Sequence, residues 1–247
     1  MRLLVVLAHP DDETFICGGA LAAFSRAGGD IHLVVATRGE HGRRLGRPPF
    51  ATRETLPDLR EQELRAACRA LGIARLSLLG LRDKCLEFED PDALAGRVAF
   101  HIRRDRPEAL LTFHPERGGH SDHCAIGRAA TAAWERAGDP LRYPEQLVSG
   151  LAPFQPGRLY RLSSAEVATH PGQHGHTPEQ FTRVHVGAVA GAKLAAYRAH
   201  RSQTQLDAAL WEEGEGPVSR MAGGTEWFEQ VNPPFTAGES GLLGLAP

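Results

Sequence analysis

The stretch LLVVLAHPDDE, residues 3–13, indicates both a class of fold and the place of a functional site. An apolar, β-favouring run ends abruptly in a histidine, a proline and three acidic side chains. Ligands of α/β folds bind at the C-terminal ends of parallel strands, so this change predicts a buried first strand with a site at its end. His9 and Asp12 are donors that zinc accepts, whereas Asp11 between them is free to act as a base.

A second strand-like run, residues 110–113, is followed by a loop rich in histidine. Its sequence is His114-Pro115-Glu116-Arg117-Gly118-Gly119-His120-Ser121-Asp122-His123. Two parallel strands of one sheet end at the same edge, so these loops can converge on one ion although they lie far apart in sequence. Two histidines and one carboxylate would leave a position open for water, which is the arrangement of a catalytic zinc site.

Simpler interpretations stay open for both loops. An Asp-Asp-Glu run is often the N-terminus of a helix, where carboxylates accept from free amides, and we expect Glu13 to serve that purpose. His120 and His123 could be turn residues without a metal. The His9-Pro10 pair gains nothing from helix capping, which favours the metal-site interpretation.

The rest of the chain alternates between strand and helix patterns. This alternation predicts an α/β fold, a Rossmann-like three-layer sandwich with a mostly parallel sheet of at least four parallel strands and helices on both faces. Residues 140–178 are irregular and predict a short strand or two, and an amphipathic segment surrounds Trp227. We expect one domain over 1–247, with about 140–247 as its C-terminal elaboration. Strands are expected at 3–7, 31–37, 76–79 and 109–113, and helices at 18–27, 53–71, 91–105, 125–137 and 186–200.

The composition of the chain argues against nucleic acid and anionic membranes as binding partners. The chain has 247 residues, a net charge of −2 and a pI near 6.6, which gives no sign of the basic surface that nucleic acid or an anionic membrane would require. The partner is therefore expected to be a small molecule. The N-terminus lacks the pattern of a signal peptide, so a cytoplasmic location is expected. Four scattered cysteines lack CxxC spacing and indicate neither a disulfide framework nor a thiolate zinc site.

The motifs His9-Pro10-Asp11-Asp12-Glu13 and His120-Ser121-Asp122-His123 resemble the paired signature of the zinc-dependent de-N-acetylases related to the LmbE and PIG-L proteins. Further similarity lies in the Gly39-Glu40 pair, in Arg60-Glu61-Gln62-Glu63 and in His200-Arg201-Ser202-Gln203. Within that family, residues 42–57 together with Arg82-Asp83-Lys84 resemble the bacillithiol-pathway branch. Enzymes of that branch deacetylate N-acetylglucosaminyl-malate.

The resemblance implies a role for each matching residue. His9, Asp12 and His123 would hold Zn²⁺, or another divalent ion such as Fe²⁺. Asp11 would be the general base, and His120 would stabilise the oxyanion. Asp122 would orient a neighbouring histidine, and the alternative is that it caps a turn. Arg60 and Asp83 would hold the sugar. Relatives assemble into oligomers, so a homo-oligomer, by analogy a hexamer, is an expectation.

Arginines in the loop after the second strand suit a malyl group, because guanidinium binds carboxylate in a bidentate fashion. Arg43, Arg47 and Arg53 are the candidates. The alternative is a solvated basic loop or a subunit interface.

An amide needs a strong nucleophile, an oxyanion partner and a proton donor for its hydrolysis. Zinc-activated water would be the nucleophile, and a protonated His120, whose pKa Asp122 raises, would be the oxyanion partner. The proton for the leaving amine would come from Asp11 or from His120. Two departures from the family pattern are Ser121, where proline is usual, and Gly118-Gly119, where some relatives place a tyrosine. A thiol S-conjugate amidase and a non-catalytic sugar- or metal-binding relative are the alternatives. The presence of Asp11 disfavours the non-catalytic one, because a binding site does not need a base.

Overall fold

A seven-stranded sheet organises the chain in the computed structural model, which describes residues 1–233, 235, 242 and 243. The strand order is β3-β2-β1-β4-β5-β7-β6. The first five strands are parallel, and β7 runs antiparallel between β5 and β6. The strands are β1 (Arg2–Leu7), β2 (Asp30–Thr37), β3 (Arg75–Leu81), β4 (Ala109–Thr112), β5 (Arg158–Ser163), β6 (Phe181–His185) and β7 (Thr225–Gln230).

Helices cover both faces of this sheet. α2, α3 and α8 pack against one another, and α4 packs against α5. The mostly parallel three-layer α/β sandwich expected from the sequence is thereby confirmed. The helices are α1 (Asp12–Phe15), α2 (Gly18–Arg26), α3 (Leu56–Leu71), α4 (Pro91–Asp105), α5 (Ser121–Arg136), α6 (Pro144–Val148), α7 (Ala165–Thr169), α8 (Ala190–Ala199), α9 (Arg201–Thr204), α10 (Ala208–Trp211) and α11 (Gly216–Ala222).

The centre of the sheet is its most buried part. β1 lies between β2 and β4, and residues Leu3–Leu7 are almost wholly inaccessible to solvent. Burial on both faces explains why β1 reads as a continuous apolar run rather than an alternating one. β1 and β4 are parallel neighbours, so the loops that leave them meet at one edge of the sheet.

Several boundaries differ from those expected. α5 begins at Ser121, four residues before the expected start, because the His120 side chain caps it by accepting from the Asp122 N–H at 3.1 Å. α3 begins at Leu56 instead of Arg53, because Thr52 and Thr55 hydrogen-bond to each other's backbone and hold a turn. The expected irregular region contains β5, α6 and α7.

The segment around Trp227 is a strand of the sheet, β7. None of the helices within the described residues is long and apolar enough to cross a membrane. All four cysteines are free. The expected cytoplasmic location stays a prediction.

Candidate active site

Three side-chain donors converge where β1 and β4 end. His9 Nδ1 lies 3.2 Å from His123 Nε2 and 3.6 Å from Asp12 Oδ2, and His123 Nε2 lies 3.3 Å from Asp12 Oδ1. Bonds of zinc to nitrogen and oxygen near 2.0–2.1 Å in a tetrahedron would separate the ligand atoms by about 3.3 Å. The spacing of this trio therefore fits a small tetrahedral cation.

The outer nitrogens of both histidines have partners that fix the ring orientation. His9 Nε2 lies 3.1 Å from Asp122 Oδ2 and 3.1 Å from Asp83 Oδ1. His123 Nδ1 donates to the Gly118 carbonyl at 2.8 Å, and its ring stacks on Phe113 with centroids 3.9 Å apart. Such supporting contacts are typical of metal-binding histidines.

Negative charge dominates the site. Burial opposes protonation of His9, but the carboxylates of Asp12, Asp122 and Asp83 outweigh it and raise the pKa of His9 to about 12. Burial would raise the pKa of Asp12, yet its contacts with the two histidines hold that pKa well below its usual range. The site is thus built to hold positive charge, which a divalent cation would supply.

Asp11 is held in an unusual position beside the trio. Its backbone has φ 117° and ψ −25°, a left-handed conformation that a non-glycine residue adopts only under constraint. Arg60 Nη2 donates to Asp11 Oδ2 at 2.8 Å and also to the Pro10 carbonyl. Burial raises the pKa of Asp11 to about 7, against the opposing effect of Arg60. A carboxyl group with such a pKa can take up and release a proton near neutral pH.

Glu13 does more than serve the helix. Its Oε2 accepts the Asp11 N–H at 3.0 Å, and its Oε1 lies 2.6 Å from Nε2 of His200, which is fully buried. Burial opposes protonation of His200, but Glu13 raises the pKa of its imidazole. His200, which lies between α8 and α9, therefore supports the Asp11 turn through Glu13. The helix-capping pattern of residues 11–13 gives no sign of this distant partner.

His120 and Asp122 are not paired in the way expected. The Asp122 carboxylate contacts His9 and accepts from the Lys84 and Leu86 N–H groups at 2.7 and 3.0 Å. His120 Nδ1 accepts from the Asp122 backbone N–H at 3.1 Å. An accepting Nδ1 leaves the ring proton on Nε2, so this arrangement holds a neutral His120 donor rather than the expected imidazolium. Asp122 here orients His9 and caps a turn.

The two residues expected to hold the sugar are nearly buried. Asp83 accepts from the His41 N–H at 2.8 Å besides contacting His9. Burial would raise the Asp83 pKa, but His9 lowers it to about 2. Arg60 also donates to the Gly39 carbonyl at 2.8 Å, and its Nε has no partner within the described residues. Their contacts with a sugar stay predictions.

The three loop arginines are not gathered around the trio. Arg43 and Arg47 are exposed. Arg53 Nη1 donates to the Glu40 and Gly42 carbonyls at 2.7 and 3.1 Å, which holds the loop in shape. Their expected contacts with a malyl group stay predictions.

A second group with ligand-like spacing lies elsewhere, formed by His32, His101 and Asp105. Asp105 already pairs with Arg75 at 2.8 Å and with Arg104 at 3.0 Å. Because two guanidinium groups already balance its charge, this group does not attract a cation as the first one does.

Comparison with known proteins agrees with this geometry. The family model described as PIG-L, GlcNAc-PI de-N-acetylase, matches residues 4–134. The chain is 34% identical to a Bacillus cereus protein and 38% identical to a Bacillus subtilis protein, each named "Probable N-acetyl-alpha-D-glucosaminyl L-malate deacetylase 2". The alignments cover 92% and 93% of this chain and 94% of each relative.

A solved structure has the same fold. It is the N,N'-diacetylchitobiose deacetylase from Pyrococcus horikoshii, with a TM-score of 0.73 and 21% sequence identity over 93% of this chain and 83% of that one. At this identity the likeness concerns the fold alone.

Proposed function

Because the chain belongs to the PIG-L family of de-N-acetylases, we propose that it is a metal-dependent deacetylase acting on an N-acetylglucosaminyl conjugate. The substrate we propose is N-acetylglucosaminyl-malate, from which hydrolysis releases acetate and the free amine, as in bacillithiol biosynthesis. Similarity to malate-conjugate deacetylases along nearly the whole of both chains supports this substrate. The observation that carries the reaction class is the trio of donors 3.2–3.6 Å apart, with Asp11 beside it.

We assign His9, Asp12 and His123 as the ligands of the metal, with Zn²⁺ as the ion that suits two imidazoles and a carboxylate. Fe²⁺ is the second candidate. A zinc ion bound there supplies Lewis acidity, which lowers the pKa of a water molecule to about 7 and polarises a carbonyl oxygen. Asp83 and Asp122 would keep the Nε2 proton of His9 in place.

Asp11 is assigned as the general base. Its carboxylate removes a proton from the attacking water, and Arg60 holds it in position at 2.8 Å. Its raised pKa allows it to keep that proton long enough to pass it on to the leaving amine.

His120 is assigned as the donor to the oxyanion. Because its Nδ1 accepts the Asp122 N–H, its Nε2–H is the group free to donate to the tetrahedral oxygen as negative charge develops. The proton for the leaving amine is assigned to Asp11, because a neutral His120 would have to become an imidazolate to give up its Nε2 proton.

The experiment is a comparison of substrates. Release of free amine and acetate is measured for N-acetylglucosaminyl-malate, for N-acetylglucosamine and for an acylated thiol S-conjugate. We expect the malate conjugate to be hydrolysed fastest. Preferential hydrolysis of the S-conjugate would favour the amidase alternative, and the absence of turnover on all three would favour a binding protein.

A further inference from the structure

A cluster of basic side chains lies one strand beyond the loop that carries His120 and His123. We name it the Glu229 cluster, after the carboxylate at its centre. Arg161 on β5 faces Glu229 on β7 as its cross-strand partner. His114 and Arg117 come from the loop after β4, and His176 comes from the segment before β6.

The cluster holds more donors than its carboxylate satisfies. The distances to Glu229 are 3.5 Å from Arg117 Nη2, 3.7 Å from Arg161 Nη1, 3.9 Å from His114 Nε2 and 4.0 Å from His176 Nδ1. Good charge-assisted hydrogen bonds are about 2.7–2.9 Å long. Each of these contacts is therefore loose, and the single carboxylate is shared among four groups. Arg117 Nη2 also lies 3.1 Å from His176 Nε2.

Further features mark the cluster as electropositive. The buried Arg161 Nε has no hydrogen-bond partner in the part of the chain that the structure describes. His114 Nδ1 accepts from the Glu116 and Arg117 N–H groups, which leaves its Nε2–H facing Glu229. Burial, followed by the charges of Arg117 and Arg161, lowers the pKa of His114 to about 4.

The cluster is joined directly to the active-site loop. The residue after Arg117 is Gly118, whose carbonyl accepts from the proposed metal ligand His123. A cavity of about 160 Å³ has walls from Phe113, His114, Arg117 and Gly118. Phe113 is also the ring on which His123 stacks. Arg117 thus lines a cavity whose wall includes the two residues, Phe113 and Gly118, that contact His123.

We propose that the Glu229 cluster is the subsite for a carboxylate group of the substrate, with Arg117 and Arg161 as its donors. This inference rests on the proposed function, because it concerns the acidic aglycone of the same substrate. Guanidinium binds carboxylate in a planar, bidentate manner, and these two arginines reach Glu229 only through contacts of 3.5 and 3.7 Å. Glu229 then acts as an internal competitor that keeps the donors in place until the substrate carboxylate arrives.

The test compares an acidic substrate with an uncharged one in each variant. The ratio of kcat/KM for N-acetylglucosaminyl-malate to kcat/KM for N-acetylglucosamine is measured for the wild type, Arg117→Met and Arg161→Lys. We expect the ratio to fall roughly 10- to 100-fold in Arg117→Met, because it loses a charge-assisted contact. Arg161→Lys keeps the positive charge but loses the planar guanidinium that donates two parallel hydrogen bonds. We therefore expect a smaller fall in the ratio.

A third variant reverses the direction of the effect. Glu229→Gln removes the competing charge, so the KM for the malate conjugate is expected to fall, a result that a merely structural Glu229 would not give. Arg136→Met is the matched control, because Arg136 pairs with Asp92 at the surface, away from the cluster. Arg117 lies on an exposed loop, so its variant keeps the test available if changes at Arg161 or Glu229 prevent folding.

Each outcome has a distinct meaning. An unchanged ratio in Arg117→Met and Arg161→Lys would overturn the subsite, and a fall in Arg43→Gln or Arg47→Gln instead would assign the carboxylate to the exposed loop. If the ratio of kcat/KM values stays unchanged in these variants but their inhibition by acetate changes, the subsite is overturned. The cluster would then bind the acetate product instead of the substrate carboxylate. No turnover of either substrate by the wild type would overturn the proposed function and the subsite together.

Discussion

Asp11 is the residue on which the proposed chemistry depends most. It is neither part of the donor trio nor free to relax, because Arg60 holds its carboxylate and Glu13 holds its N–H. Strained backbone of this kind occurs where the surrounding structure determines a functional geometry.

Asp11→Asn should lower kcat by about 10²–10⁴-fold, because the amide cannot accept the proton of the attacking water. Zinc content per chain should stay close to that of the wild type, since Asp11 is outside the ligand trio. Steady-state kinetics and elemental analysis of the same preparation measure both. Retained activity would remove Asp11 from the mechanism.

His101 predicts a specific response to acid. It is 6% exposed, and burial, with the neighbouring His32 and Arg104, lowers its pKa from 6.5 to about 4. In the unfolded chain, His101 therefore becomes protonated as the pH falls below 6.5. In the folded chain, it becomes protonated only near pH 4. The contribution of His101 to stability is present above pH 6.5 and is lost as the pH falls towards 4.

His101→Gln should flatten the fall in the free energy of unfolding between pH 6.5 and 4. The wild type and the variant should differ in that fall by up to about 3 kcal/mol. Urea unfolding at several pH values measures this difference. Parallel curves for the two proteins would show that His101 titrates alike in the folded and unfolded chain.

Local sequence was enough to predict that His9, Asp12 and His123 come together, because the segments that carry them follow the ends of two neighbouring parallel strands. The partners of those residues were harder to predict. Asp83 and Asp122 both contact His9, and His200 supports Glu13, through orientations that only the assembled fold determines. The neutral arrangement of His120 likewise depends on a single backbone N–H that the motif does not reveal.

At the scale of elements, α9 links three distant segments. His200, just before this helix, contacts Glu13, and Ser202 donates to Glu63 of α3 through both its N–H and its hydroxyl. Gln203 pairs with the backbone of Arg43 in both directions, at 2.8 and 2.9 Å. The short motif at 200–203 thereby fixes the arginine loop relative to the Asp11 turn.

Arg103 of α4 performs a comparable structural role on the other side of the sheet. It is almost fully buried and donates to the backbone carbonyls of Ala137, Asp139, Arg142 and Tyr143. A guanidinium whose partners are mainly carbonyl groups holds the connection after α5 in place.

Arg103→Met should lower the free energy of unfolding by about 3–5 kcal/mol, because several buried carbonyls lose their donor. Arg97→Met on the same helix is the control, since Arg97 is exposed and makes one long contact of 3.4 Å. That control should change stability by less than about 0.5 kcal/mol. Denaturant unfolding distinguishes the two, and equal effects would contradict the role given to Arg103.

Element types with a strong period were predictable, whereas their ends and the last strands were not. α4 has the expected bounds, since Asp90 caps it and Pro91 opens it. The segment around Trp227 has two adjacent aromatic residues, Trp227 and Phe228, between pairs of polar residues, a pattern that distinguishes poorly between a helix and a strand. This segment forms a strand because it pairs with β5 and β6, and those pairings depend on the folded chain rather than on the local sequence.

For the whole molecule, we propose that residues 140–247 elaborate one domain rather than forming a second. β5, β6 and β7 extend the same sheet at whose edge His9, Asp12 and His123 meet, within the described part of this region. Residues 234, 236–241 and 244–247 lie outside the described residues. The expected homo-oligomer stays a prediction.

Metal binding should stabilise the whole fold, because its proposed ligands come from two distant segments, the turn and helix after β1 and the start of α5. With free zinc at 100 times the Kd, mass action adds about 2.7 kcal/mol, which corresponds to a rise in Tm of about 5–10 °C for a chain of this size. Thermal unfolding with zinc and with chelator measures the shift. His123→Asn should abolish most of it, and Asp11→Asn should retain it. A shift that survives in His123→Asn would place the ion elsewhere.

The most direct measurement for the central claim is a zinc titration of chelator-stripped protein, with acetate release from N-acetylglucosaminyl-malate as the readout. A metal-dependent mechanism at the trio predicts no turnover without metal and a rise that reaches its plateau at one ion per chain. Turnover that persists in the stripped protein, or that does not respond to added zinc or Fe²⁺, would contradict it.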